Sequence, residues 1–280
     1  MKIGIFGGDK RMLFTAQAFV SDGHEVMLAG FDSLVSLCDI RICSVQEAAD
    51  ECDCAVLPIR PIIDGNLNAP FSEHPIRITD LTERIGEKSL FSGSSHTLLP
   101  FAKGKVYDYT MCEAFLLRNA QLTAEGAIGL ILREYEGAVY GTDILVTGYG
   151  RIGKALSRCL NALGAKVTVA ARRFDDRVSI ANNGMTAADY PDLDYASYRV
   201  IINTVPAMVL DQDAVERMRE DVFIIDLASV PGGVDFHAAR ERELTCIHAL
   251  ALPGKTAPLT AGIIIKDTIM NILKRAAALG

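Results

Sequence analysis

Residues 142–153 read Thr142-Asp143-Ile144-Leu145-Val146-Thr147-Gly148-Tyr149-Gly150-Arg151-Ile152-Gly153. The apolar, β-rich run at 144–147 predicts a buried parallel strand. Three glycines then follow at the spacing of a strand-to-helix phosphate turn. The first permits the tight turn, the second lets a pyrophosphate approach the backbone, and the third lets helix and strand pack closely. A helix is expected over 154–163, with Ala155, Leu156, Cys159, Leu160 and Leu163 on one face and Gly164 placed to end it. A second strand follows at 166–170. A glycine pattern framed by strand, helix, glycine stop and strand predicts dinucleotide binding by Gly148, Tyr149, Gly150, Arg151, Ile152 and Gly153.

The end of that second strand bears on which dinucleotide is bound. A site for NAD usually carries Asp or Glu there to hold the ribose 2′-hydroxyl. This chain has Ala170-Ala171-Arg172-Arg173, with no carboxylate before Asp175. Two guanidiniums suit a 2′-phosphate, which they bind through charge-assisted bonds. NADP is the expected cofactor, with NAD the alternative, and Arg151 in the turn adds a third positive charge.

Outward from this stretch the chain repeats the strand–helix alternation in both directions. Toward the N-terminus, 2–6 predicts a strand running into Gly7-Gly8-Asp9-Lys10-Arg11, then a helix at 12–20 and a strand at 25–29. The two adjacent glycines suit either an anion at a helix N-terminus or a plain tight turn. Further strands are expected at 54–58, 90–93 and 106–109, with helices at 44–49 and 81–85. A long helix is expected near 123–136, with Thr123 as its N-cap and Glu125 and Gly126 in its first turn. Toward the C-terminus, strands are expected at 200–205, 222–227 and 245–250, and a final helix at 260–279. Asn203, Thr204, Val205 and Pro206, at the end of the first of these, are expected on the adenine or ribose side of the cofactor.

The pattern is α/β with two domains. An N-terminal flavodoxin- or Rossmann-like domain (1–118 with 259–280) precedes an NAD(P)-binding Rossmann domain (119–258), and the C-terminal helix is expected to pack back on the first domain. At 280 residues the chain is long enough for both. A formal net charge of −7 with no basic run argues against a nucleic-acid partner. No apolar stretch is long enough to span a bilayer, and MKIGIFGGDK lacks the apolar core of a signal peptide, so a cytoplasmic protein without a membrane partner is expected. The seven cysteines (38, 43, 52, 54, 112, 159 and 246) form no CxxC pair, and an odd count suits reduced thiols. The histidines (24, 74, 96, 237 and 248) show no ligand spacing, and no metal site is expected.

Six segments in order, GGDKR, NAQLTAEGAI, VTGYGRIGK, INTVPAMVL, IDLASVPGGVDF and LPGKTAPLTAG, resemble the family of bacterial dipicolinate synthase A subunits, made during spore formation. The resemblance runs over nearly the whole chain. It implies a two-domain dehydrogenase architecture and a nicotinamide-linked oxidation of a dihydrodipicolinate-type precursor to dipicolinate. It also implies a partner, the flavoprotein-like dipicolinate synthase B subunit, together with an oligomeric assembly and a place in the mother-cell cytoplasm. Removing hydride and a proton from a partly reduced pyridine ring gains aromaticity, so the protein must chiefly position the substrate and accept a proton.

A small dicarboxylate substrate calls for cations and amides in an interdomain cleft. Arg60, Arg118, Asn119 and Lys255 are the candidates for binding it, and Lys255, His248 and Glu125 for the proton. Three have a plainer alternative: Arg60 as loop surface, His248 as a hydrogen-bonded core residue, Glu125 as a helix-end charge. Two other functions remain open: a non-catalytic NADP-binding protein for assembly or sensing, and another small NADP enzyme such as a shikimate-dehydrogenase-like reductase. The substrate-loop Lys with partner Asp expected of the latter is not found.

Overall fold

The computed structural model describes residues 1–34 and 40–279; Cys38 lies outside the described residues. The chain divides into two compact units, Met1–Asn119 with Ala257–Gly280, and Ala120–Thr256.

The first unit begins with β1 (Lys2–Phe6), α1 (Lys10–Ser21), β2 (Glu25–Ala29), β3 (Arg41–Ile42), α2 (Val45–Glu51) and β4 (Cys54–Val56). A small antiparallel pair, β5 (Ile62–Ile63) and β6 (Asn66–Leu67), precedes α3 (Ile78–Ile85), β7 (Ser89–Ser92) and β8 (Val106–Asp108). The six strands outside that pair form one parallel sheet in the order β3-β2-β1-β4-β7-β8. This is the doubly wound dinucleotide order, which selects Rossmann over flavodoxin for the first unit. Ser44 starts α2 with a capping box, its hydroxyl accepting from Glu47 N while the Glu47 carboxylate accepts from Ser44 N.

A continuous helix, α4 (Glu113–Glu134), runs on into the second unit. The helix start expected at Thr123 is therefore wrong. Residues 113–122 are mostly strong helix formers with no Gly or Pro among them, so Thr123 falls mid-helix and is buried. Glu125 accordingly lies far from the positive end of the helix, is exposed, and accepts from Gln121 at 3.3 Å.

The second unit continues with β9 (Asp143–Thr147), α5 (Arg151–Ala162), β10 (Lys166–Ala170), α6 (Phe174–Asn182), β11 (Thr186–Ala188), β12 (Val200–Asn203), α7 (Gln212–Glu216), β13 (Phe223–Asp226), α8 (Phe236–Glu241), β14 (Thr245–His248) and α9 (Leu252–Thr256). Its parallel sheet, β11-β10-β9-β12-β13-β14, repeats the order of the first. The sheet is covered on both faces, which is why its strands read as nearly unbroken apolar runs. Gly126 lets α9 lie close on α4, since a Cβ there would stand 2.9 Å from Leu252 Cβ.

The last helix, α10 (Pro258–Leu279), packs on α1 within the first unit. Gly262 is the point of closest approach: a Cβ would lie 2.6 Å from Arg11 O and 2.7 Å from Phe14 Cβ. Thr15 Oγ1 donates to Gly262 O at 3.1 Å across the contact. Lys266 bridges Asp22 at 2.7 Å and Asp267 at 2.9 Å, and Asp267 also takes Arg118 at 2.8 Å. Burial would raise the Asp267 carboxyl, but Arg118 and Lys266 outweigh it and hold the group below the usual carboxylate range. Among the described residues no helix is long and apolar enough to cross a membrane, and no group of three or more His, Cys, Asp and Glu is placed to hold a metal ion.

Candidate dinucleotide and strand-end site

In the second unit the strand order reverses between β9 and β12, and open α/β sheets bind ligands at such a point. The glycine turn lies there. Gly148 has φ +92°, and a Cβ on it would stand 2.7 Å from both Thr204 Oγ1 and Val205 Cγ2. A Cβ on Gly153 would fall on the Gly148 carbonyl. Gly150, by contrast, faces open space, with no atom within 4 Å of a built Cβ. The two crowded glycines shape the turn and the open one leaves a cradle at the N-terminus of α5, where a pyrophosphate would meet backbone N–H groups and the positive end of the dipole. Tyr149 is buried, and its ring lies 5.1 Å from Lys154 Nζ. Ile152 packs against the apolar core and Arg151 is exposed.

The equivalent turn of the first unit is filled by the protein itself. Gly8 N donates to Asn68 O at 2.7 Å, and a Cβ on Gly7 would stand 2.8 Å from the same oxygen. The Asp9 carboxylate caps α1, accepting from Arg11 N at 3.0 Å and pairing with the Arg11 guanidinium at 2.7 Å. Of the two readings of Gly7-Gly8, the tight turn is the one seen.

Beside the second unit's turn, polar residues close the ends of the apolar strands in one register row. Thr147 pairs with Asn203, Asn203 with Asp226, and Asp226 with His248, so neighbouring side chains share a face. Thr147, Asn203 and Asp226 are fully buried. Asn203 Oδ1 accepts from Thr147 Oγ1 at 2.7 Å and Val205 N at 3.0 Å. Its Nδ2 donates to Asp226 Oδ1 at 2.7 Å and Val205 O at 3.0 Å. Asp226 further accepts from Ala228 N at 2.9 Å and Gly233 N at 2.8 Å. The network ties the loops after β12 and β13 to the sheet. It also accounts for the Gly232-Gly233 pair, because a Cβ would stand 2.6 Å from Asp226 Oδ2 at the first and 2.5 Å from Asn203 Nδ2 at the second. The neighbouring Cys246 thiol is pushed up to about 12, chiefly by burial and further by Asp226.

The proposed ligand residues fare differently. The Asn203 side chain is consumed inside the protein, and the residue's backbone carbonyl accepts from Leu227 N at 2.9 Å, so this fully buried residue supports the strand end rather than reaching a ligand. Thr204 Oγ1 likewise donates to Thr147 O at 2.8 Å. Val205 lies against the Gly148 turn, and Pro206 follows it at the same strand end. Arg172 and Arg173 are exposed at the end of β10, Arg173 with Asp175 at 3.7 Å. His248 is half-buried, its Nε2 2.9 Å from Ala228 O and its ring 5.2 Å from that of Phe236. The contact with Ala228 O orients the ring and leaves its other nitrogen, Nδ1, outside that bond.

Lys255 is exposed on α9 in the second unit, and Arg60 is exposed after β4 in the first. Arg118, with its guanidinium on Asp267, and Asn119 are on α4. Arg177, Asp189 and Asp226 had no place in the sequence reading; a polar residue ending each apolar strand was the available signal for Asp226.

Residues 2–103 match the family model of the N-terminal domain of the dipicolinate synthase A subunit. Residues 121–231 match that of the NAD-binding domain of D-isomer specific 2-hydroxyacid dehydrogenases. The dipicolinate synthase A subunit of Bacillus subtilis (strain 168) is 29% identical, aligned over 99% of this chain and 97% of its own length. Along its whole length the chain is a relative of the dipicolinate synthase A subunit. The solved A subunit of the Bacillus halodurans dipicolinate synthase superposes with TM-score 0.89 at 29% identity, covering 97% of both chains. The A chain of the Bacillus subtilis dipicolinate synthase gives TM-score 0.88 at 29% identity over 100% of this chain and 98% of that one. The relationship to dipicolinate synthase A subunits therefore holds in sequence and in fold, and the second unit is a dehydrogenase-type domain for a nicotinamide dinucleotide.

Proposed function

We propose that this chain is the A subunit of a dipicolinate synthase, taking hydride from a dihydrodipicolinate-type precursor onto NADP. The observation that carries the reading is the open cradle at Gly150 beside a strand end, Ala171-Arg172-Arg173, that offers guanidiniums and no carboxylate. The backbone of 148–153 would hold the pyrophosphate, and Arg172 and Arg173 the 2′-phosphate. When bound, the nicotinamide supplies the hydride acceptor. The chain's own work is to bind and orient the substrate carboxylates, for which Lys255 on the second unit and Arg60 on the first are the candidates, and to take one ring proton. A flavoprotein-like B subunit completes the assembly in the mother-cell cytoplasm.

A second reading, a dinucleotide-binding subunit without chemistry of its own, draws on one observation. The strand-end segments 204–210, 227–234 and 249–256 carry no acid–base side chain except Lys255. The deciding experiment incubates the protein with NADP+ and a dihydrodipicolinate-type precursor, with and without the B subunit, and follows nicotinamide reduction by absorbance. Reduction that falls when Lys255 or Arg60 becomes Ala, with apparent KM raised about tenfold for loss of one charged hydrogen bond, supports catalysis. NADP+ binding without reduction in either arm supports the second reading.

A further inference from the structure

Two carbonyls just past the end of β10 are held by one guanidinium. Arg177 Nη1 donates to Ala171 O at 2.9 Å and to Arg172 O at 2.9 Å. The same nitrogen meets Asp189 Oδ2 at 2.9 Å, with the Arg177 side chain 25% exposed. Arg177 reaches back from α6, and Asp189 follows β11, whose Ala188 is the register partner of Ala170. The second Asp189 oxygen accepts from Tyr190 N at 2.9 Å. Burial pushes the Tyr190 phenol up, against the opposing pull of Arg172.

A carboxylate at such a strand end serves an NAD site by accepting ribose hydroxyls, and it repels a 2′-phosphate. This chain has a carboxylate one strand over, at Asp189, and two carbonyl oxygens just past the end of β10. Arg177 engages all three. All three contacts come from the one nitrogen, Nη1, whose two hydrogens are shared among the three acceptors.

We propose that Arg177 is a positioning residue that makes this strand end selective for a dinucleotide bearing a 2′-phosphate, by neutralising Asp189 and holding the Ala171 and Arg172 carbonyls to itself. It rests on the cofactor reading above. With the acceptors tied down, the face left for a ligand is that of Arg172 and Arg173. With Arg177 gone, the Asp189 carboxylate is uncompensated and becomes a partner for a ribose hydroxyl and an opponent of a phosphate.

The test is calorimetric binding of NADP+ and NAD+ to the full-length protein, with a thermal melt for each variant. Arg177→Met should weaken NADP+ by about tenfold or more, the size of one lost charge-assisted contact, while NAD+ affinity holds or improves. Adding Asp189→Asn to that variant should recover part of the NADP+ affinity, because the freed charge is removed. Asp189→Asn alone leaves Arg177 on its carbonyls and should keep the wild-type ratio. If Arg177→Met does not fold, Arg177→Lys takes its place and should lower the ratio severalfold.

An unchanged NADP+/NAD+ ratio in the Arg177 variant, or equal loss of both ligands with no recovery from Asp189→Asn, overturns the role of Arg177 and leaves the cofactor reading standing. A wild-type protein that binds both dinucleotides equally, and is indifferent to Arg172→Ala with Arg173→Ala, overturns the cofactor reading itself and the positioning role with it.

Discussion

Asn203→Asp tests the strand-end network with almost no change in volume. The substitution keeps the contacts of Oδ1 with Thr147 and Val205 N, but it replaces the Nδ2 donor, 2.7 Å from Asp226 Oδ1 and 3.0 Å from Val205 O, with an oxygen. Two buried carboxylates so close repel by about 4 kcal/mol at ~4 Å and an effective dielectric of ~20, so the pair keeps one proton. An unfolded Asp releases that proton near pH ~3.9, so retaining it at pH 7 costs about 4 kcal/mol, roughly three pH units at ~1.36 kcal/mol each.

The folded variant thus binds one more proton than its unfolded chain between about pH 4 and neutrality. Its stability relative to wild type rises as pH falls, by about 1.4 kcal/mol per unit. The stranded Val205 carbonyl adds a further loss of about 1–3 kcal/mol at every pH. Urea unfolding at pH 5, 6 and 7 should show the gap narrowing by about 2.7 kcal/mol from pH 7 to pH 5. Asn203→Ala should be destabilised without that slope. Equal gaps for the Asp variant at pH 5 and pH 7 would refute the donation from Asn203 to Asp226.

Gly150→Ala and Gly153→Ala should separate binding from folding. The first meets open space, so it should melt like wild type yet lose dinucleotide affinity by calorimetry; the second drives a Cβ into the Gly148 carbonyl and should cost about 1–3 kcal/mol of stability, read from the same melts. Asp108 accepts from Ser95 N at 2.9 Å and Thr110 N at 2.8 Å. Burial would raise its pKa, but these bonds and that of the Thr110 hydroxyl outweigh burial and hold the carboxyl below its ordinary 3.8. Its stabilisation is therefore present above that value and lost as pH falls through the lower folded one. Asp108→Asn should be less stable than wild type at pH 7, with the difference shrinking in acid below about pH 4, as followed by urea unfolding.

The sequence by itself determined the parts that depend on local chemistry. Unbroken apolar runs give strands covered on both faces, and their alternation with helices gives two parallel sheets. The spacing of Gly148, Gly150 and Gly153 places the dinucleotide turn, because each glycine answers a steric demand that recurs wherever strand, phosphate and helix meet. The absence of a carboxylate at Ala171-Arg172-Arg173 was equally legible. Tertiary structure decided what depends on partners distant in sequence. Gly7-Gly8 resembled a phosphate turn until Asn68, some sixty residues on, supplied the carbonyl that fills it. Thr123 and Glu125 carried the residue types of a helix start, but local propensity ran the helix through them, and Thr123 was buried by neighbours the sequence does not reveal. His248 meets the Ala228 carbonyl, a partner that only the return of the chain brings to it. Arg177 and Asp189 read singly as surface charges; the pairing of β10 with β11 brings Asp189 to the guanidinium that holds the Ala171 and Arg172 carbonyls. A side chain's type states which bonds it can make, and the fold, by choosing which of those bonds are already made, decides which groups are left for a ligand.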